Sequence, residues 1–179
     1  MYNLETDRLL IRGFTPDDWK DLYEYLSDEA VVKFEPYDVL TEAQCKQEAL
    51  NRSNTDSMLA VCLKSNDKLI GNVYFEQQEP KELLTWELGY VFNSKYQCQG
   101  YATESCNAVL MHAFVSLKAR RIVAMCDPRN VASWKLLERL HLRREGYLKK
   151  NIFFEKDAEG NPILKDTYEY AILSDEWKI

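Results

Sequence analysis

The spacing of apolar residues changes twice along the chain, and each change predicts a different kind of element. Residues 7–14, DRLLIRGF, read as an opening strand, and helical spacing follows over residues 17–26 at Trp19, Leu22, Tyr23 and Leu26. TEAQ at 41–44 is a capping box, so a second short helix is predicted to about residue 51. Three strand-like runs then follow: MLAVCLK, KLIGNVYFEQ and LLTWELGYVF. The turns between them, SND and EPKE, are short enough to imply an antiparallel meander.

The last run of this meander alternates strictly, which predicts two different faces. One face would carry Leu84, Trp86, Leu88, Tyr90 and Phe92. The other face would carry Thr85, Glu87, Gly89 and Val91.

Helical spacing returns after the meander. A long amphipathic helix is predicted from the apolar stripe Ala102, Cys106, Val109, Leu110, Ala113, Phe114 and Leu117. The strand RRIVAMC follows, and Asn130 is a good N-cap for a helix carrying Ala132, Leu136, Leu137 and Leu140. GYLKKNIFFEK and DTYEYAIL would close the chain as a hairpin around DAEGNP.

The resulting order is β-α-α-β-β-β-α-β-α-β-β, which predicts an α/β or α+β fold in a single domain over residues 1–179. We expect a mixed, mostly antiparallel central sheet with helices on both faces. The central strand–helix–strand unit should form a parallel pair through a right-handed crossover.

Composition narrows the function classes. The formal net charge is -6 and no block of Lys or Arg occurs, so nucleic acid is not an expected partner. No apolar run is long enough to cross a membrane and no signal peptide is visible, so neither a membrane partner nor export is expected. The five cysteines are scattered and the two histidines are isolated, so we expect reduced thiols in the cytoplasm and no bound metal.

The segment SKYQCQGYATES, residues 94–105, is the strongest candidate for a binding site. It leads into the predicted long helix, whose first N–H groups lack intrahelical partners and attract anions. Gly100 would let the backbone approach a ligand closely, and Gln97 and Thr103 add polar side chains. Neither a Walker motif nor the three-glycine dinucleotide fingerprint is present. On these residues alone, an ordinary loop–helix junction is the better interpretation.

Several ordered motifs resemble the GNAT superfamily of N-acetyltransferases. QCQGYA has the form Q/R-x-x-G-x-G/A of that superfamily's acetyl-coenzyme-A loop. ETDRLLIRGF, WELGYVF, YQCQGYATES and RNVASWKLLERLHLRREG resemble the branch of ribosomal-protein-alanine acetyltransferases, and the resemblance covers nearly the whole chain. It implies a GNAT-like acyl-CoA N-acyltransferase fold, acetyl-CoA as co-substrate, and acetyl transfer to an amine without a metal.

The resemblance also implies roles for particular residues. Coenzyme A would contact Tyr90, Val91, Phe92, Gln97, Cys98, Gln99, Gly100, Tyr101, Ala102, Thr103, Asn130 and Ser133. The strand that ends at Phe92 would splay from the next strand and leave room for the thioester. Glu87 is the candidate base and Ser133 the candidate donor to the leaving thiolate. Phe34, Tyr37 and Tyr74 are candidates for the acceptor site, whereas Trp86 is interpreted as core.

Two positions depart from the superfamily's pattern. Leu137 stands where many members have a tyrosine acid, which excludes that acid, and His141 stands where the branch has a glycine helix stop. These departures keep open a second interpretation, a catalytically weak acyl-CoA sensor. A third is a mononucleotide or sugar-phosphate binder. The acceptor could be a small amine or a protein N-terminus, and the chain a monomer or homodimer.

Overall fold

The strands form one mixed sheet. The computed structural model describes residues 3–178. The strands of this part are β1 (Asn3–Glu5), β2 (Leu9–Gly13), β3 (Met58–Leu63), β4 (Leu69–Gln77), β5 (Thr85–Phe92), β6 (Arg121–Cys126), β7 (Arg143–Lys156) and β8 (Pro162–Leu173). Their spatial order is β1-β2-β3-β4-β5-β6-β8-β7. Among these described strands only β5 and β6 pair in parallel, as predicted for the central strand–helix–strand unit.

Five α-helices lie in residues 3–178, and those that begin at Glu42 and Val131 start at the caps that the sequence predicted. The five helices are α1 (Trp19–Leu26), α2 (Glu29–Val32), α3 (Glu42–Ser53), α4 (Tyr101–Val115) and α5 (Val131–Arg139). At α3 the Thr41 hydroxyl accepts from the Gln44 N–H, and the Gln44 side chain accepts from the Thr41 N–H at 2.8 Å. At α5 the Asn130 side chain accepts from the Ser133 N–H at 3.2 Å. These bonds satisfy donors that a helix start leaves unpaired.

Helices cover both faces of the sheet, as predicted, because the central strands are apolar on both sides. In β3, Leu59 and Val61 belong to the larger core, which includes buried residues of α4 and α5. Ala60 and Cys62 alternate with them and belong to the smaller core, which includes residues of α1 and α3. The period of two along a strand therefore divides one run of apolar residues between two cores.

Four details differ from the predictions. β1 and the short α2 were not predicted, since three or four residues carry too little periodicity. Leu84 does not begin β5; it ends the turn Lys81–Leu83 in a left-handed conformation and is 40% exposed. On α1, Tyr23 is 37% exposed and Tyr25 is buried instead. The Tyr25 hydroxyl donates to Asn72 of β4 at 2.8 Å, a partner that helical spacing cannot reveal.

The sheet opens between β5 and β6. Their ladder contains only the pairs Thr85↔Arg121, Trp86↔Ile122 and Glu87↔Val123. Beyond it β5 stays paired with β4 as far as Phe92, while β6 stays paired with β8 as far as Cys126. The side of β5 that faces this gap therefore has no strand partner, as the resemblance implied.

Candidate active site

Two cavities meet at the gap between β5 and β6. The first, which we call the helix groove, has a volume of about 450 Å³ and lies among α2, α5 and the start of α4. The second, the strand cavity, has a volume of about 460 Å³ and lies over β4 and β5. The residues that line both cavities are Phe34, Glu35, Tyr90, Val91, Asn130 and Ser133. A molecule in the groove can therefore meet a second molecule from the cavity at this shared boundary.

The helix groove contains the start of α4. Gly100 is the N-cap residue, with φ +84°, and no side chain caps the helix. Gly100, Tyr101, Ala102 and Thr103 line the groove. Because the first N–H groups of a helix have no intrahelical partners and carry partial positive charge, this end of the groove suits an anion.

Side chains of the loop itself brace the segment before α4. The Gln97 side chain donates to the carbonyl oxygen of Phe92 at 3.0 Å, and the Gln99 side chain donates to that of Lys95 at 3.1 Å. Gln97 and Cys98 line the groove, but Gln99 does not. Of the predicted coenzyme contacts in this loop, Gln99 is thus the one that does not line the groove.

At the boundary of the two cavities, a tyrosine and a serine are hydrogen-bonded. The Tyr90 hydroxyl lies 3.0 Å from Ser133 Oγ and 3.0 Å from the Ser133 carbonyl oxygen. Burial raises the pKa of Tyr90, so it keeps its proton at neutral pH. The Tyr90 hydroxyl can donate its one proton to the Ser133 carbonyl oxygen or to Ser133 Oγ, and in the second case the serine proton is available to an atom in the gap. Leu137, where a tyrosine acid was excluded, is buried in the core.

Glu87 faces the strand cavity from β5. It lies opposite Glu76 in the β4–β5 ladder and lines the cavity. Burial, and then the charge of Glu76, raise the pKa of Glu87. The Tyr74 hydroxyl donates to Glu76 at 2.6 Å, and Glu87 forms no ion pair with any residue in the range 3–178. A carboxylate of this kind is a suitable proton acceptor.

Aromatic side chains line the strand cavity. Phe34, Tyr37 and Tyr74 are all among its lining residues, where the sequence predicted the acceptor. Trp86 instead stacks on Phe75, with ring centroids 4.8 Å apart, and packs against the larger core as interpreted.

A buried polar network under this cavity was not predicted from the sequence. Arg52 of α3 is buried and donates to Glu48 at 2.7 Å and to Asn72 at 3.1 Å. Asn72 also accepts from Tyr25, so the network joins α1, α3 and β4. In the sequence, Glu48 and Arg52 are four residues apart, a spacing typical of an ordinary pair on a solvated helix face.

Glu35 was also not predicted, although it lines both cavities. Burial raises its pKa to about 7, against the opposing effects of Arg52 and Tyr37. Its position after α2, in an irregular segment, gave no sequence signal. Two carboxylates with raised pKa, Glu35 and Glu87, thus lie on the walls of the strand cavity.

Neither a metal centre nor a membrane span is found in the described part of the chain. Among residues 3–178, no group of three or more His, Cys, Asp or Glu could hold a metal ion. No helix in that range is long and apolar enough to cross a bilayer.

Comparisons with known proteins converge on one family. The family model described as Acetyltransferase (GNAT) domain matches residues 8–143. An uncharacterized N-acetyltransferase, YnaD of Bacillus subtilis, is 39% identical over 98% of this chain and 99% of its own. The crystal structure of a GNAT-family acetyltransferase from Bacillus anthracis superimposes with a TM-score of 0.88 at 36% identity, covering 98% of this chain and 100% of its own.

A more distant structure shares the fold alone. The ribosomal-protein-S5-alanine acetyltransferase from Vibrio fischeri superimposes with a TM-score of 0.79 at 23% identity, over 100% of both chains.

Proposed function

The chain belongs to the GNAT family and is an N-acetyltransferase, and we propose that it transfers acetyl from acetyl-CoA to a primary amine by direct attack in a ternary complex. The observation that carries this proposal is the meeting of two cavities where the β5–β6 ladder ends. One cavity suits an anionic coenzyme and the other an amine. No covalent acyl-enzyme is required when both reactants are held in line.

Acetyl-CoA would occupy the helix groove. Its diphosphate would bind the N–H groups at the start of α4, near Gly100 and Ala102. Its pantetheine arm would follow the unpaired side of β5 from Phe92 towards Tyr90, where the backbone can hydrogen-bond as it would to another strand. The thioester would then lie at the boundary formed by Tyr90, Val91 and Ser133.

The acceptor would enter through the strand cavity as a protonated amine. Glu87, directly or through a water molecule, takes one proton and leaves a neutral nucleophile. The nitrogen forms a bond to the acetyl carbon, and a backbone N–H of β5 stabilises the oxyanion. The carbon–sulfur bond then breaks, the nitrogen gives its second proton to solvent, and the pair of Ser133 and Tyr90 supplies a proton to the thiolate and regains one from solvent. The products are an N-acetylated amine and free coenzyme A.

The lining of the strand cavity favours a positively charged acceptor. Glu35 and Glu87 face it, and neither forms an ion pair with any residue in the range 3–178, whereas Arg52 is engaged by Glu48. Phe34, Tyr37 and Tyr74 offer aromatic faces, which attract cations. Small cationic amines and protein N-termini both fit this description.

All five cysteines are free thiols, which supports a cytoplasmic location.

A turnover assay with several acceptors tests this function. The protein is mixed with acetyl-CoA and a panel of amines, amino acids and peptides with free N-termini, and both thiol release and product mass are measured. We expect amine-dependent thiol release together with a product heavier by one acetyl group. Tight acetyl-CoA binding without turnover across the panel would favour the sensor instead. Tighter binding of ATP than of acetyl-CoA would favour the nucleotide binder.

A further inference from the structure

Arg8, immediately before β2, reaches the loop that precedes α4. Its Nη1 donates to the carbonyl oxygen of Gln99 at 3.1 Å. Its Nε donates to Glu104 at 2.7 Å, and its Nη2 lies 2.6 Å from the same carboxylate. The guanidinium also lies over the Tyr101 ring, 4.3 Å from its centroid. One side chain thus contacts three residues of the loop and the first turn of α4.

Two other groups near Arg8 also donate hydrogen bonds to Glu104. The Thr6 hydroxyl donates to Glu104 at 2.5 Å and the Arg8 backbone N–H donates at 3.1 Å. Burial opposes ionisation of Glu104, but these hydrogen bonds outweigh it and lower the pKa of the carboxyl. Glu104 is therefore a negative charge in the first turn of α4, close to where an anion would bind, and Arg8 compensates it.

The bond from Arg8 to Gln99 also sets the direction of a backbone donor. In a trans peptide the carbonyl of one residue and the N–H of the next point in opposite directions. Because the Gln99 carbonyl points to Arg8, the Gly100 N–H points away from Arg8, and Gly100 lines the helix groove. A Cβ at Gly100 would lie 3.3 Å from Arg8 Nη2, so glycine serves the approach of Arg8 as well as the positive φ.

We propose that Arg8 is a positioning residue for the diphosphate of coenzyme A: it orients the Gly100 N–H and neutralises Glu104, without contacting the acetyl group. This inference rests on the proposed use of acetyl-CoA. Because the Arg8 side chain is 46% exposed, its ion pair with Glu104 adds little to folding stability. Loss of Arg8 should therefore affect coenzyme binding more than folding.

The test compares acetyl-CoA with acetyl-pantetheine, which carries the same thioester but no diphosphate. Arg8→Ala should raise KM for acetyl-CoA by about 10-fold or more, since charge-assisted hydrogen bonds are lost. With acetyl-pantetheine, kcat/KM should stay within about twofold of the wild-type value. Arg8→Lys keeps the charge but cannot bridge Gln99 and Glu104, so it should give an intermediate KM for acetyl-CoA.

Arg120→Ala is the matched control. Arg120 also donates to a loop carbonyl, that of Leu83 at 2.9 Å, but it does not line the groove. We expect unchanged kinetics with both thioesters for this variant. An equal loss on both thioesters in Arg8→Lys and Arg8→Ala would mean a purely structural role, and no loss on either would equally overturn the inference. If the wild-type kcat/KM for acetyl-pantetheine equals that for acetyl-CoA, the diphosphate does not contribute to binding. The proposed diphosphate site itself is then wrong, irrespective of Arg8.

Discussion

At the scale of single residues, Glu87 carries the proposed chemistry most directly. It is half-buried on β5, opposite Glu76, and its raised pKa makes it a stronger base than an exposed glutamate. Glu87→Gln should lower kcat by about 100-fold, the typical contribution of a general base, while leaving acetyl-CoA affinity within about twofold. Steady-state kinetics and calorimetric titration measure the two quantities.

Glu76→Gln is the matched control for this prediction. It removes the neighbouring charge that helps to raise the pKa of Glu87, so Glu87 should ionise at lower pH. The rising limb of kcat/KM against pH should then shift towards lower pH while the maximum rate is kept. If the limb does not shift, or if Glu87→Gln keeps full activity, then water or another group accepts the proton of the amine.

The hydroxyl pair gives a second prediction at this scale. Ser133→Ala removes the hydroxyl that faces the gap, and Tyr90→Phe removes its partner at 3.0 Å. Each variant should lower kcat by roughly 10-fold through the leaving thiolate, and because the two groups act as one donor, the double variant should be little worse. Losses that multiply in the double variant would contradict a shared proton path.

Glu35 links the site to folding stability. Its pKa rises from an ordinary value of 4.5 to about 7 in the folded protein, so the folded state holds a proton that the unfolded state has lost between these values. Stability should therefore fall as pH rises through this window, by at most about 3 kcal/mol. Glu35→Gln should remove this loss and be more stable than wild type at pH of about 8.

Urea denaturation at several pH values measures this effect. Glu82→Gln, at an exposed glutamate on the turn Lys81–Leu83, is the control and should follow the wild-type profile. If Glu35→Gln also follows that profile, the Glu35 carboxyl is not buried in solution as described.

At the scale of elements, the end of α5 shows how a residue type can differ while the geometry is kept. His141 follows α5 with φ +64°, its N–H donates to the Glu138 carbonyl oxygen at 3.0 Å, and the Leu142 N–H donates to that of Leu137 at 3.0 Å. This is the left-handed helix stop that glycine favours. His141 therefore adopts a strained left-handed conformation, and the end of α5 keeps the geometry that is typical of glycine.

His141→Gly should consequently stabilise the fold by up to about 1 kcal/mol, because the left-handed conformation costs glycine nothing. His141→Ala should not, which separates relief of strain from loss of the imidazole. Thermal unfolding of the two variants is the measurement. Equal midpoints for Gly and Ala would show that the conformation is not strained in solution.

Elements were predictable from sequence where their signals are local. The capping box at Thr41, the N-cap at Asn130 and the alternation along β5 all depend on residues a few positions apart. The prediction that Leu84 belongs to β5 was wrong, because the alternation of apolar residues extends to Leu84 although its backbone is in the left-handed conformation. The length of the β5–β6 ladder has no local signal, and it entered only through resemblance to a family.

At the scale of the whole molecule, the unpredicted contacts are those between distant segments. Arg8 and Glu104 are 96 residues apart, and Arg52 and Asn72 meet only because α3 and β4 both pack against α1. In the sequence each of these is an unremarkable charged or polar residue. The elements of the fold thus follow largely from local patterns, whereas the contacts between distant side chains follow only from packing.

The relative position of the two cavities leads to a prediction about the kinetic mechanism, because both cavities open to one boundary at Tyr90, Val91 and Ser133. The most direct measurement is the initial rate of thiol release with acetyl-CoA and an active amine varied together. Direct transfer in a ternary complex predicts double-reciprocal lines that intersect, and no thiol release beyond the blank without amine. Parallel lines, with a burst of thiol release in the absence of amine, would contradict it, since they require an acetylated enzyme.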